Sequence, residues 1–332
     1  MKKRRFGRLK AVLIIAAAAV LLVFGYRAGR WLETRNARPE TRGDHEQRYA
    51  YEKTIEVDGV SYRRRKDVTA ILLMGVDRGS GATVSGFRNG GQADFLQLVV
   101  IDDAEDKVTR LQIDRDTMTP IVVLGVLGNR SGVRTAQVCL SHGFGDGGAQ
   151  SCELTVEAVS NLLLGVDIDQ YVAMNLDGIS ALNDAAGGVT VTLEDDFSAL
   201  DPAMTPGTTL TLMGDQAEYY VRSRRNIGVG TNEARMKRQQ DYIAKLSAQL
   251  DGRIHEDKAF IDSLYGEVEP YLTTDMSRGF LINRIWSARD YERSVMELAG
   301  SYRIGGDGFM EFHADEAAIQ ETVLALFYQR ME

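Results

Sequence analysis

The segment from Tyr220 to Gln240 carries the densest group of cations in the sequence. Between positions 222 and 238 there is a single acid, Glu233, beside six cations: Arg222, Arg224, Arg225, Arg235, Lys237 and Arg238. The chain as a whole is acidic, with a net charge of −8, and because residues 2–10 contribute +6, residues 11–332 sum to −14. Arginines concentrated inside an acidic domain are costly unless they meet an anion, and guanidinium groups bind phosphate oxygens through paired hydrogen bonds. The cluster therefore predicts a phosphate-binding site, with a solvated basic helix face as the alternative.

Acidic side chains and two more arginines lie at the ends of three predicted strands. The runs Ala70–Val76, Asp94–Ile101 and Lys107–Ile113 are typical of strands, and the short turn at 102–106 makes the second and third antiparallel neighbours. If the first strand is antiparallel to the second, one edge of the sheet collects Asp77, Arg78, Asp94, Asp114, Arg115 and Asp116. The sequence therefore predicts a site at this edge rather than a solvated surface.

Other sequence signals for enzyme chemistry are weak. Gly143, Gly145 and Gly148 match a dinucleotide-binding spacing, but no strand–helix–strand unit encloses them. We interpret this match as a turn, or as backbone amides available to a phosphate. The four histidines are scattered without metal-ligand spacing, which argues against a zinc site.

Two cysteines, Cys139 and Cys152, lie thirteen positions apart. In an extracytoplasmic domain we expect them to form a disulfide, which would close a loop and add about 3 kcal/mol in the chain-entropy model. Two buried thiols are the alternative.

The N-terminus predicts membrane targeting. Residues 1–10 form a basic tail, which the positive-inside rule places in the cytoplasm, and residues 11–26 form an uncharged, mostly apolar run. A helix of this length reaches about 24 Å, and the flanking Lys10 and Arg27 can extend to the membrane surface. We interpret residues 11–26 as a single-pass transmembrane signal anchor because no good cleavage site follows, with a cleaved signal peptide as the alternative. The rest of the chain is then expected outside the cytoplasm.

Beyond the anchor, the sequence predicts one α/β domain. Residues 27–66 are charged and form a predicted stalk, which ends in a strand pair within 51–62 around the turn Asp58-Gly59. Residues 67–332 form the domain, in which 67–250 carry the motifs and 253–332 complete it with helices. Further strands are predicted at Asp169–Asn175 and Val189–Leu193, and helices at Leu176–Ala185, Asp215–Val221, Lys258–Leu264, Ser277–Arg289 and Ala314–Arg330. The expected fold class is a mixed central β-sheet with antiparallel strands, covered by helices on both faces.

Five motifs occur in a fixed order: Ile71–Arg78, Gln92–Asp94, Ile113–Thr117, Tyr220–Arg224 and Glu233–Gln240. Their order and spacing resemble those of the LytR–CpsA–Psr family, and the resemblance covers about 67–250. It implies a protein outside the membrane of a cell-walled bacterium that transfers a glycopolymer from a polyprenyl-pyrophosphate carrier to peptidoglycan with Mg²⁺. Members were first described as transcriptional attenuators. The implied partners are the lipid-linked polymer, peptidoglycan and the membrane, and no nucleic acid is expected.

The resemblance also implies roles for individual residues. Asp77 and Asp94 would bind Mg²⁺. Pyrophosphate contacts would come from Arg115, Arg222, Arg224 and Arg235, with Arg78 and Arg238 as further candidates. The expected catalytic residues are Asp77, Arg115, Asp116 and Arg224. The chain departs from the family pattern at Asp114, where proline is usual, and at Gln92-Ala93, where Arg-Ser is usual.

The residues and the resemblance agree on phosphoryl transfer. Such a transfer needs charge neutralisation and positioning more than covalent catalysis, and arginines with a carboxylate-bound hard cation supply both. Either Asp77 or Asp116 could deprotonate a sugar hydroxyl. A pyrophosphate hydrolase and a module that binds lipid-linked polymer without turnover are the alternatives.

Overall fold

The computed structural model describes residues 54–78, 90–125, 127–224 and 226–331. Its centre is a mixed six-stranded sheet in the order β11–β8–β3–β4–β5–β12. These strands are β3 (Val68–Val76), β4 (Ala93–Asp102), β5 (Lys107–Ile113), β8 (Gln170–Asn175), β11 (Leu272–Thr274) and β12 (Glu292–Glu297). The predicted antiparallel pairing of β3 with β4 and of β4 with β5 is confirmed. β8 runs parallel to β3, and β12 runs parallel to β5.

Helices cover both faces of this sheet. Within the described ranges the helices are α1 (Leu140–Gly143), α2 (Ala149–Leu162), α3 (Asp177–Ala186), α4 (Asp215–Arg222), α5 (Asn232–Glu256), α6 (Lys258–Val268), α7 (Arg278–Ser287) and α8 (Glu316–Phe327). On one face, Leu72, Leu98 and Leu111 form the main core with side chains of α2 and α8. On the other face, Ile71 and Ile101 pack beside α7. Because β3 is buried on both faces, its sequence is a continuous apolar run. The expected fold class is confirmed for the described residues.

The arginine-rich segment 220–240 packs in a second hydrophobic cluster. β9 (Val189–Thr192) and β10 (Thr209–Leu212) form an antiparallel pair. Their apolar side chains share a cluster with α3, α4 and α5. α5 begins after Thr231, whose hydroxyl accepts a hydrogen bond from the backbone N–H of Ala234 at 3.2 Å. This cap fixes the start of α5 and with it the position of the first-turn side chains.

Three small strand groups complete the part of the chain that the structure describes. The predicted hairpin near the end of the stalk is confirmed as β1 (Thr54–Val57) and β2 (Val60–Arg64), and β2 also pairs with β15 (Tyr328–Arg330) at the other end of the domain. The other groups are hairpins, β6 (Met118–Leu124) with β7 (Arg130–Gln137), and β13 (Gly300–Ile304) with β14 (Met310–Ala314).

The tail corrects one expectation. Its three predicted helices are present as α6, α7 and α8, but 253–332 is not a helical completion, because it also contributes β11–β15. Two of these strands, β11 and β12, form the edges of the central sheet. β11 is short, and β13 is exposed along its whole length, so neither shows the long apolar alternation that marks a strand in sequence.

No helix in the described ranges is long and apolar enough to span a bilayer. The predicted anchor at 11–26, the basic tail at 1–10 and most of the predicted stalk lie outside the described residues.

Candidate functional site at one edge of the central sheet

The edge of the sheet where β3 ends brings the predicted acids together. The backbone N–H of Asp77, just past β3, donates to the carbonyl of Gln92 at 2.8 Å. Gly75 pairs with Phe95 and Val76 pairs with Ala93, so Asp94 is an extra residue in β4. Such a bulge redirects a side chain. Here Ala93 stays fully buried, whereas the carboxylate of Asp94 meets one arginine that follows β5 and one in α5.

Two arginines share the carboxylate of Asp94. Arg115, which follows β5, donates through Nη1 to Asp94 Oδ1 and through Nη2 to Gln92 Oε1. Arg235, in the first turn of α5, donates through Nη1 to Asp94 Oδ2 at 3.1 Å. The Arg235 side chain is only 4 % exposed, and its Nη2 donates to Asn232 Oδ1 at 2.6 Å. Two cations therefore converge on one acid in a largely dry site.

One of these guanidinium groups has a donor without a partner. Nε of Arg235 is buried and has no hydrogen-bond partner in the described structure, whereas Nε of Arg115 lies 3.3 Å from Asp116 Oδ1. Burial lowers the pKa of Arg235, while Asp94 opposes this shift. An arginine stays charged even so. The cluster thus presents fixed positive charge at the sheet edge.

A second, more exposed ion pair lies at the same edge. Nη2 of Arg222, the last residue of α4, donates to Asp77 Oδ1 at 2.7 Å. Its Nη1 donates to Glu218 Oε1 at 3.0 Å. The Asp77 side chain is 41 % exposed, so this carboxylate is accessible to a ligand.

Arg224 and Arg78 complete the cations at this edge. The guanidinium of Arg224 makes no hydrogen bond or ion pair within the described ranges, yet its charge lowers the pKa of both Asp116 and Arg235, so it lies near them. Nη1 of Arg78 approaches the carbonyl of Gly147 at 3.4 Å. This contact ties the end of β3 to the glycine-rich turn before α2.

The acids of the Asp-Arg-Asp segment are buried. Asp116 is 3 % exposed and accepts a hydrogen bond from Gln137 at 3.3 Å. Burial raises its pKa, and Asp114 adds to the rise, whereas Arg115, whose Nε lies 3.3 Å from Asp116 Oδ1, opposes it. Asp114 accepts hydrogen bonds from Asn232 and Tyr302. Neither carboxylate is open to solvent in the way that Asp77 is.

The structure does not bring Arg238 into this cluster. Its Nε donates to the carbonyl of Tyr220 at 3.1 Å, its Nη1 donates to Asp195 Oδ2 at 3.1 Å, and its Nη2 donates to the carbonyl of Ser223. It also stacks over the ring of Phe197, 5.5 Å from the centroid. Arg238 and Arg235 share a helix, but Arg238 holds the end of α4 against α5 and is structural.

The carboxylates fit a magnesium ion better than a transition metal. No group of three or more His, Cys, Asp or Glu side chains gathers within the described residues, so a closed protein cage for a metal is absent there. Asp77 and Asp94 supply hard oxygen donors at one edge. Mg²⁺ is commonly held by one or two carboxylates, with the remaining ligands supplied by water and substrate phosphates. The donor set therefore fits that mode.

The predicted disulfide is not present. Cys139 and Cys152 are both free and fully buried. Cys152 Sγ lies 3.9 Å from Nε2 of His142. The two free thiols correct the expectation of a covalent link.

Sequence reasoning missed several residues of the site. Asn232 holds Arg235, Gln137 contacts Asp116, and Tyr302 reaches Asp114 from a hairpin 188 residues away in the chain. Asn232 lies one residue after a helix cap, where a side chain is usually interpreted as part of the cap. No local signal marks Tyr302, because its role depends on tertiary contact alone.

Comparison with known proteins identifies the class. The family model described as LytR_cpsA_psr matches residues 35–324, and the chain belongs to this family. It is 26 % identical over 300 residues to the polyisoprenyl-teichoic acid–peptidoglycan teichoic acid transferase TagU of Halalkalibacterium halodurans, covering 90 % of this chain and 88 % of that protein. It is also 33 % identical over 200 residues to the biofilm regulatory protein A of Streptococcus mutans, covering 56 % of this chain and 46 % of that protein.

The fold also matches solved structures. The crystal structure of protein gbs0355 from Streptococcus agalactiae superposes with a TM-score of 0.64 at 23 % identity, covering 78 % of this chain and 86 % of that one. At this identity the likeness concerns the fold.

Proposed function

We propose that this protein is a Mg²⁺-dependent phosphotransferase that moves a glycopolymer from a polyprenyl-pyrophosphate carrier onto peptidoglycan. The observation that carries the proposal is the convergence of Arg115, Arg222, Arg224 and Arg235 around Asp77 and Asp94 at one edge of the sheet. The name of the TagU relative, a teichoic acid transferase acting on peptidoglycan, supports the same chemistry.

The arginines would bind the pyrophosphate. Arg115 and Arg235 are held in place by Asp94, which keeps their two positive charges together at the sheet edge. Arg224 has no competing acid partner within the described ranges, so its full bidentate donor set is available to phosphate oxygens. Arg222 and Arg78 would contribute at the exposed rim. We leave Arg238 out of this set because its donors are engaged between α4 and α5.

Asp77 and Asp94 would hold Mg²⁺. When bound, this ion neutralises charge on the pyrophosphate oxygens and orients them. Both acids make ion pairs with arginines in the ligand-free site. Phosphate oxygens can take over as acceptors for those arginines, which releases the two carboxylates for the metal.

The chemical step would be attack by an acceptor hydroxyl on the phosphorus that carries the glycan. A new P–O bond to the acceptor sugar forms, the P–O bond to the bridging oxygen breaks, and polyprenyl phosphate leaves. The hydroxyl proton needs a base at the sheet edge. We assign this role to Asp77, through a carboxylate oxygen that does not bind the metal, rather than to Asp116, because Asp77 is accessible whereas Asp116 is buried against Arg115. The arginines stabilise the charge that develops on the transferring group.

The second face of the sheet would accommodate the isoprenoid. Leu73 in β3 pairs with Gln97 in β4 and with Val172 in β8, so these side chains lie in one row across the sheet. Leu73, Val99 and Val172 are only partly buried. An apolar chain laid over Leu73, Val99 and Val172 would bury the part of these side chains that remains exposed, which is favourable.

We also propose the membrane arrangement that this substrate requires. Residues 11–26 would anchor the chain, with residues 1–10 inside and the catalytic domain at the outer surface of the cell membrane. A lipid-linked donor and a peptidoglycan acceptor are both reached from that side.

A three-arm assay tests the proposal. The full-length protein in detergent is given a polyprenyl-pyrophosphate-linked saccharide and Mg²⁺, with or without peptidoglycan fragments, and polymer transfer and phosphate release are measured. We expect transfer that requires the acceptor and stops on addition of EDTA. Phosphate release without an acceptor would establish a hydrolase instead, and binding without turnover would establish a receptor, the reading closer to the name of the biofilm regulatory relative.

A further inference from the structure

The carboxylate of Asp114 is buried where the sheet edge, α5 and the β13–β14 hairpin meet. It is 6 % exposed. Its Oδ1 accepts hydrogen bonds from the amide of Asn232 at 2.8 Å and from the backbone N–H of Asp116 at 2.7 Å. Its Oδ2 accepts one from the hydroxyl of Tyr302. A buried carboxylate needs such donors, because an uncompensated charge in a dry site is costly.

Asp114 fixes the orientation of Asn232. The side-chain amide of asparagine has one nitrogen that donates and one oxygen that accepts. Because Asp114 takes the nitrogen, the oxygen is directed to Arg235, whose Nη2 donates to it at 2.6 Å. The opposite Nη1 of Arg235 then meets Asp94. The contacts form a continuous chain from Tyr302 through Asp114 and Asn232 to Arg235.

The hairpin that carries Tyr302 is attached to the same segment. Tyr302 pairs with Phe312 across the hairpin, and their ring centroids are 4.9 Å apart. The backbone N–H of Phe312 donates to the carbonyl of Asp116 at 2.9 Å. Burial, reinforced by the hydrogen bond to Asp114, raises the pKa of Tyr302, so its hydroxyl remains a donor across the physiological range.

We propose that Tyr302 and Asp114 are positioning residues, which orient Arg235 for pyrophosphate through Asn232. This inference rests on the proposed function, because it assigns Arg235 to the pyrophosphate group. The hydroxyl of Tyr302 contacts Asp114 and acts on Arg235 only through Asn232. Its effect is to keep Asp114 directed at Asn232 and so to hold the guanidinium of Arg235 in one orientation at the sheet edge.

The test compares two tyrosine-to-phenylalanine variants of the full-length protein. Tyr291 is the matched control, since its hydroxyl also donates to an aspartate, Asp103, at 3.0 Å, in a contact that does not include the cluster. Affinity for inorganic pyrophosphate and for geranylgeranyl pyrophosphate is measured by calorimetry. We expect Tyr302→Phe to weaken binding of both by about fivefold or more, as for a lost hydrogen bond to a charged group, and Tyr291→Phe to change it by less than about twofold.

Two further variants separate positioning from stability. Asn232→Ala interrupts the same link without altering the hairpin and should weaken binding at least as much. In an Arg235→Lys background, Tyr302→Phe should lose most of its effect, because it acts through that arginine. Unchanged affinity in Tyr302→Phe or in Asn232→Ala, or a full effect of Tyr302→Phe in the Arg235→Lys background, would overturn the inference while leaving the proposed function intact. If the wild-type protein binds neither pyrophosphate, both fall.

Discussion

Arg235 donates to Asp94 at 3.1 Å although the two residues are 141 positions apart in the chain. The contact joins the first turn of α5 to a bulge in β4, and it places a nearly buried cation over the end of the central sheet. Arg115 binds the other oxygen of the same carboxylate. Asp94 therefore acts as the counter-charge for both arginines, a role that pyrophosphate oxygens would take under the proposed function.

This relationship predicts the behaviour of Asp94→Asn. Loss of the carboxylate leaves two arginines without their shared anion, so we expect the free energy of unfolding to fall by about 2 kcal/mol without ligand. Added pyrophosphate should restore more of this stability in the variant than it adds to the wild type, because it replaces the missing charge. Thermal unfolding with and without pyrophosphate measures both effects. Equal melting temperatures of the two ligand-free proteins would contradict the prediction.

Arg224 and Arg238 should respond in opposite ways to removal. Arg224→Ala is expected to leave the free energy of unfolding within about 0.5 kcal/mol of wild type, since this guanidinium has no partner in the described ranges. It should nevertheless weaken binding of a prenyl pyrophosphate by about 1.5–3 kcal/mol. Arg224→Lys should restore only part of the affinity, because lysine keeps the charge but lacks the paired N–H donors of the guanidinium.

Arg238→Ala is the matched control for that variant. It removes hydrogen bonds to two backbone carbonyls and to Asp195, so we expect it to destabilise the fold by about 2–4 kcal/mol. At a temperature where the variant is folded, its affinity for the prenyl pyrophosphate should match wild type. A stable Arg238→Ala protein with weak ligand binding would place Arg238 in the site after all.

The buried carboxyl of Asp116 predicts a pH dependence of stability. Burial raises its pKa above the usual 3.8. Between the ordinary pKa of 3.8 in the unfolded state and the raised pKa in the folded state, the folded protein holds more protons than the unfolded protein. The free energy of unfolding therefore falls as the pH rises through this interval. Asp116→Asn removes this cost, and its stability relative to wild type should be higher at neutral pH than at pH values below 3.8.

Asp103 supplies a control of opposite sign. Its hydrogen bond from Arg284 is the main reason that its pKa lies below 3.8, so its ionised form stabilises the fold. Asp103→Asn should therefore lose stability relative to wild type at neutral pH, and the difference should vanish as the pH falls through the lowered pKa. Urea unfolding over the acidic range measures both variants. If raising the pH changed the stability of both variants relative to wild type in the same direction, the result would contradict these assignments.

The cysteines give a chemical prediction. Burial raises the pKa of each thiol to about 12, so neither forms an appreciable amount of thiolate at neutral pH. We expect iodoacetamide to label both only after unfolding, without prior reduction, and mass spectrometry to find two adducts. Unreduced protein that resists labelling in denaturant would reveal a disulfide.

The sequence predicts much of the sheet and less of the site. β3 and β4 were predictable because their apolar runs are buried on both faces, and the short turn at 102–106 makes β5 the antiparallel neighbour of β4. The antiparallel order of these strands predicts a shared sheet edge for Asp77, Asp94 and Arg115. Strand β12 has a mostly exposed, polar pattern, so its place at the sheet edge depends on tertiary pairing with β5.

Side-chain direction was the main limit on predicting the site. Arg235 and Arg238 share a helix face in sequence, but one meets Asp94 and the other meets Asp195. The difference depends on where β9, β10 and α4 pack against α5, which no local pattern encodes. The link from Tyr302 to Asp114 likewise joins distant parts of the chain, so only the folded structure reveals it.

The most direct test of the central claim is the mass of the acceptor after reaction. A defined peptidoglycan fragment is incubated with polyprenyl-pyrophosphate-linked saccharide, Mg²⁺ and the full-length protein, and the product is analysed by mass spectrometry. We predict an acceptor that has gained the saccharide and one phosphate in phosphodiester linkage, and no such product with Asp94→Asn. An unmodified acceptor beside intact donor, or full transfer by Asp94→Asn, would contradict the account.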